Sequence, residues 1–173
     1  MRLVVALVVL LPIPAFGAEG EQGLSVSAGY ANLSIPQPGE GGDDVDRGFH
    51  GGMAQLAYER GLSDTFWIRG SLSGALYDGP VMFAYSGSLV ADLVYRFDYV
   101  RYVPYLFGGA GLVTGFGEGV ETKYLPVVEL GIGLDVLESR EFSWGLEARW
   151  DASVSFARYL TVGMKASWSW GYF

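Results

Sequence analysis

The stretch "LTVGMKASWSWGYF", Leu160 to Phe173, alternates almost without fault. Leu160, Val162, Met164, Ala166, Trp168, Trp170 and Tyr172 fall on one side of an extended strand, and Thr161, Gly163, Lys165, Ser167, Ser169 and Gly171 on the other. A period of two is the signature of a strand with two unlike faces. Seven apolar positions in phase, with two tryptophans among them, pose the question of what that face touches.

Working back along the chain, the same period recurs in seven more segments. Leu24, Val26, Ala28 and Tyr30 mark the first, and His50, Gly52, Ala54, Leu56 and Tyr58 the second. The third carries Phe66, Ile68, Gly70, Leu72, Gly74 and Leu76, and the fourth Phe83 through Phe97 at every second place. In the fifth both faces are apolar or glycine; the row Val103, Tyr105, Phe107, Gly109, Gly111 and Val113 is taken as the apolar one. Val128, Leu130, Ile132, Leu134 and Val136 form the sixth, and Trp144, Leu146, Ala148 and Trp150 the seventh. Tight polar turns at 61–64, 98–101 and 138–141 alternate with other connections at 31–47, 78–81, 114–123 and 152–157. That pattern predicts an antiparallel meander with one smooth end and one ragged end.

The 173 residues suffice for one domain. Half are apolar and none is cysteine, so stability does not come from disulfides. Residues 1–18 read as a cleaved signal peptide: Arg2, an apolar run from Leu3 to Phe16, then small residues before Glu19. Residues 19–173 then form the domain. Loss of Arg2 leaves 10 basic against 19 acidic residues, a charge of −9, which excludes nucleic acid as a partner.

Which way the apolar face points is decided by the opposite one. There lie Glu59, Arg69, Asp92, Arg96, Glu129, Asp135, Glu147, Arg149, Asp151 and Lys165, whereas the apolar rows hold no charge. Aromatic residues gather at strand ends (Tyr58, Phe66, Tyr95, Phe97, Tyr105, Trp144, Trp170 and Tyr172 at the short-turn end; Tyr30, Phe83, Tyr85 and Trp150 at the other). Rings at both interfaces around an aliphatic band are the mark of a membrane barrel. Unpaired amides in hydrocarbon cost several kcal/mol each, so the sheet must close, last strand on first. The expected fold is all-β: an eight-stranded antiparallel up-and-down transmembrane β-barrel.

With its leader, its eight strands, "GLSDTFWIRG" (61–70), "VPYLFGGAGL" (103–112), "GLEARW" (145–150) and terminal Phe173, the chain resembles the small bacterial outer-membrane barrels, the OmpA-transmembrane, OmpX and OmpW-like group. The resemblance implies an outer-membrane location and contact with outer-membrane lipids and lipopolysaccharide. It also implies delivery by the outer-membrane assembly machinery, with Trp168, Trp170, Tyr172 and Phe173 as the assembly signal. Phe173 is out of phase with the other three, so either Tyr172 is the last outward residue or the strand ends in a bulge. No peptidoglycan-binding domain is expected, and the protein is expected to be monomeric.

The candidate site is the interior charge network of Arg69, Asp92, Arg96, Glu129, Asp135, Glu147, Arg149 and Lys165, centred on Glu147, Arg149, Glu129 and Arg69. Eight strands enclose just enough room for side chains, and buried charges must pair. A stiffening ion-pair plug is the first reading. The alternative is a narrow conduit or carrier site for a small or hydrophobic solute, with room supplied by inward Gly131, Gly133, Gly145 and Gly163. His50, the sole histidine, has no serine two residues on and falls on the lipid face, which argues against a lipid-modifying enzyme. Glu40, Asp43, Asp44 and Asp46 make a solvated acidic loop without the spacing of a calcium loop. No catalytic residue, metal or cofactor is expected. The expected function is a non-catalytic envelope-structural or surface-interaction role through the extracellular loops; a soluble secreted ligand-binding barrel is the remaining alternative. On these faces Ile132→Arg should cost about 2–4 kcal/mol and Gly131→Ser much less.

Overall fold

Eight strands close into a barrel in strict chain order, every neighbour antiparallel and β8 paired with β1. They are β1 (Gln22–Pro38), β2 (Asp44–Gly61), β3 (Phe66–Asp78), β4 (Ala84–Arg96), β5 (Tyr102–Phe116), β6 (Tyr124–Leu137), β7 (Phe142–Ser153) and β8 (Arg158–Trp170). The computed structural model describes residues 20–38, 44–78, 84–97, 101–116, 124–153 and 157–171. The signal-peptide assignment, the loop of Glu40 and Asp43, and Tyr172 and Phe173 lie outside them, as do the side chains of Asp44 and Asp46.

Two of the tight turns are built alike. At 62–65 the Ser63 hydroxyl accepts from the Phe66 amide at 3.1 Å; at 138–141 the Ser139 hydroxyl accepts from the Phe142 amide at 3.1 Å. In both, a serine side chain stands in for a backbone acceptor and closes the hairpin. The ladder itself sets the tilt. Following paired residues from Leu24 through Tyr58, Gly70, Ala91, Ala110, Val128, Ala152 and Arg158 returns to β1 at Ser34, ten residues further on. Eight strands sheared by ten lean about 40° from the barrel axis.

Exposure alternates along the strands as a lipid-facing barrel requires. Leu72, Leu76, Val128, Leu130, Ile132, Leu146 and Met164 are among the most exposed side chains, whereas Arg69, Asp92, Glu129, Glu147, Arg149 and Lys165 are buried. In β5 the facing is the reverse of the sequence expectation. Tyr102, Leu106 and Leu112 are exposed, while Tyr105, Phe107 and Val113 are buried. Tyr105 therefore does not belong to the aromatic girdle. The reason is space. A side chain at Gly131 would strike the ring of Phe107, and one at Gly133 the ring of Tyr105. The inward glycines of β6 make holes in the interior wall, and the two rings of β5 fill them.

The connection expected over 31–47 is also shorter. Pairing between β1 and β2 continues to Pro38 and Asp44, yet β8 leaves β1 at Ser34 and β3 leaves β2 at His50. The end of this hairpin is a two-stranded ribbon standing beyond its neighbours. At the other edge β8 stops at Trp170, and Gly171 adopts φ +86°.

Candidate functional site: the barrel interior

The charged residues are brought together by register. Glu59, Arg69, Asp92, Gly109, Glu129 and Asp151 are successive cross-strand partners on β2 to β7, one row winding round the inner wall. Arg69 is the hub. It donates to Glu147 at 2.6 Å from across the barrel, with Asp92 at 3.4 Å and Glu59 at 3.8 Å. Glu147 is held from a second side by Arg149 at 3.3 Å, and the Tyr105 hydroxyl donates to it at 2.9 Å. Arg149 also faces Glu129 at 3.7 Å. Nearer the short turns, Lys165 pairs with Asp135 at 2.9 Å and Arg96 with Glu59.

Aromatic rings complete the packing. The Arg69 guanidinium lies 3.9 Å from the centre of the Phe107 ring, Arg96 stands 4.0 Å over Trp67, and the Lys165 ammonium 4.3 Å over Tyr105. A ring face solvates a desolvated cation at little cost in volume. Asp92 approaches Arg69 without hydrogen-bonding geometry, and its carboxylate oxygens have no hydrogen-bond partner among the described residues. Glu129, besides facing Arg149, meets the side chain of its cross-strand partner Asp151.

This arrangement divides the interior. On the short-turn side a cavity of about 250 Å³ is lined by Glu59, Asp64, Trp67, Arg96, Asp135 and Ser143 among others. On the other side a cavity of about 20 Å³ lies beside Tyr77, Arg149, Asp151 and Tyr159, room for about one water. The Arg69–Glu147–Arg149 bridge and the rings of Tyr105 and Phe107 stand between. The glycines expected to open a conduit do not: two of them receive those rings, and side chains at Gly145 and Gly163 would run into neighbouring backbone.

All eight residues of the predicted network point inward; six of them (Arg69, Asp92, Arg96, Glu129, Glu147 and Arg149) join Glu59 in one ion-paired set, and Lys165 and Asp135 form a pair of their own. Sequence reading missed Tyr105, Phe107 and Trp67 as the cations' platforms; for the first two the available signal was inward Gly133 and Gly131, vacancies that a ring can fill. Of the predicted assembly residues, Trp168 and Trp170 are exposed at the end of β8. His50 is exposed, its ring against Tyr30 and Asn32 on the outer wall, apart from the interior network. No cluster of three or more His, Asp or Glu side chains among the described residues is placed to hold a metal ion.

No protein-family model matches the chain, and no curated protein matches its sequence. Its fold does have solved counterparts. Neisserial surface protein A superposes with a TM-score of 0.72 at 13% identity, covering 88% of this chain and 100% of that one. Ail, the attachment invasion locus protein of Yersinia pestis, gives 0.53 at 19% identity over 87% of this chain and 99% of that one. The N-terminal β-barrel domain of Pseudomonas aeruginosa OprF gives 0.51 at 16% identity, covering 87% and 99%. The fold is that of the small outer-membrane barrels, and a closed barrel with this apolar exterior is an outer-membrane architecture.

Proposed function

We propose that this chain is a non-catalytic bacterial outer-membrane protein whose interior is a structural plug and whose work is done at the cell surface. The observation that carries the reading is the crossing of the lumen by Arg69, Glu147 and Arg149, with Tyr105 and Phe107 seated in the holes left by Gly133 and Gly131. An ion pair of this kind contributes little net stability, but removing one partner strands a buried charge. It fixes the wall's shape. Among the described residues, the part that runs past its neighbours' pairing and can meet other molecules is the β1–β2 ribbon beyond Ser34 and His50. Pro36 and Pro38 lie on its β1 edge, where missing amide donors discourage strand addition. Contact is then through side chains of the ribbon and the neighbouring loops. A surface role also agrees with the names of two of the structural relatives, a surface protein and an attachment protein.

Planar-bilayer recording tests the plug: the folded protein should show no unitary current steps, and regular steps would favour the channel reading. Comparing cells that carry the parent protein with cells whose residues 36–46 are replaced by an Asn-Gly turn tests the surface role. Loss of attachment with unchanged detergent resistance is expected; loss of detergent resistance alone would favour the envelope-structural role.

A further inference from the structure

Three serines come together by register beside the seam. Ser167 of β8 pairs with Ser25 of β1 on one side and with Ser143 of β7 on the other, and all three are buried on the inner wall. Their row crosses two strand spacings, about 10 Å. In a closed ring of eight, strands four apart face one another, so the wall opposite this row is β3 and β4. There Trp67 lies buried, with the Arg96 guanidinium 4.0 Å from its ring centre. Across the other diameter Glu59 of β2 faces Asp135 of β6.

These seven residues line the cavity of about 250 Å³ on the short-turn side. A cavity of about 150 Å³ takes benzene, so this one takes a single ring with its substituents, about ten non-hydrogen atoms. Asp64, Ser139 and Arg140 of the short turns stand exposed at its rim, and the Arg69–Glu147 bridge crosses behind its inner end. In outer-membrane barrels the short turns face the periplasm, and so does this pocket.

The lining selects the chemistry of an occupant. Glu59 is matched by Arg96 and Asp135 by Lys165, so the inner walls hold no charge in want of a counter-charge. A charged molecule would enter without a partner and at the cost of its own hydration. Hydrogen-bonding capacity, by contrast, is left over in both senses. Trp67 Nε1 and Arg96 Nε are donors, Glu59 Oε1 and Asp135 Oδ1 are acceptors, and the Ser167 hydroxyl is both; none has a hydrogen-bond partner among the described residues. Buried polar groups of native proteins are ordinarily paired. A group that donates and accepts at many points without net charge is a hydroxyl.

We infer that the short-turn half of the lumen is a periplasm-facing pocket for a neutral polyhydroxylated ring, a monosaccharide or cyclic polyol. Ser25, Ser143 and Ser167 take hydroxyls along one edge of the ring, and Trp67, Arg96, Glu59 and Asp135 take those along the others. The pocket lies beneath the plug and at the far end from the β1–β2 ribbon, so it does not depend on the surface role.

Titration of the folded, isotope-labelled protein with glucose in a phosphocholine detergent tests it. The reading is the NMR signal of the Trp67 indole N–H, identified by its loss in Trp67→Phe. Glucosamine and glucuronate, the same ring carrying one charge of either sign, are the comparison. Glucose should shift the signal saturably, and the two charged sugars should bind about tenfold more weakly. Ser143→Ala combined with Ser167→Ala should weaken glucose binding about tenfold, and Ser167→Leu, which fills the pocket, should abolish it. Ser73→Ala, which removes an inward hydroxyl on the other side of the plug, should change nothing. Folding of each variant is checked by its heat-shifted gel band. None of these changes touches the Arg69–Glu147–Arg149 bridge, so failure of the pocket and failure of the plug, read as bilayer current, are told apart. A pocket holding water alone would give no saturable shift and would overturn the proposal. So would equal binding of the three sugars, unchanged binding in the double serine variant, or an equal loss in Ser73→Ala.

Discussion

Glu147 is the residue on which the interior turns, since Arg69, Arg149 and Tyr105 all converge on it. Glu147→Leu leaves two buried guanidiniums without their shared partner and should cost about 3–5 kcal/mol, read as the urea midpoint of protein refolded in vesicles. Ile132→Arg, on the lipid face, should cost about 2–4 kcal/mol in the same titration. For Gly131→Ser the structure reverses the sequence expectation of a mild effect. The new Cβ meets the Phe107 ring and stands 2.7 Å from the Ala148 carbonyl, and overpacking of that kind costs about 1–3 kcal/mol. That Gly131 faces inward was legible from the period of β6. That its space was already occupied was not, because the occupant comes from another strand whose two faces look alike in sequence.

Among the elements, β5 and the β1–β2 hairpin show where periodicity runs out. Alternation reports a facing only when one side is polar; in β5 glycines and apolar residues stand on both, and volume rather than hydropathy decides. Because the chain lacks cysteine, single replacements can check the outcome cleanly. In folded protein, Leu106→Cys and Leu112→Cys should be labelled by a membrane-soluble maleimide and Val113→Cys protected; the opposite pattern would restore the sequence expectation. The hairpin fails for another reason. Past Tyr30 the outward positions are Asn32 and Ser34. Beyond the hydrocarbon no lipid selects for oiliness there, so the ladder continues after the pattern has stopped. The other seven apolar faces, the short turns at 61–64 and 138–141 and the inward charges could all be read directly, since bilayer and lumen impose opposite demands on adjacent residues.

For the whole molecule, closure is the property that the residues and elements jointly produce. An unheated sample in detergent should migrate faster than a boiled one, since every backbone ladder is complete round the hoop. Removing residues 36–46 in favour of an Asn-Gly turn should preserve that shift, because neither β3 nor β8 pairs with the excised part.

The seam of that hoop joins Gln22 to Trp170, almost the full length of the folded domain apart. Each of the seven hairpins can form from chain close at hand, but this last pairing has to wait for the final strand to arrive. Gly29 and Gly163 meet there so closely that a methyl group on Gly29 would collide with opposing backbone, leaving the two lips little tolerance for a mismatched approach. Until they zip, the sheet offers two open borders to any stray polypeptide. Productive assembly is thus a race decided at a single junction, where slow searching costs more than weak binding.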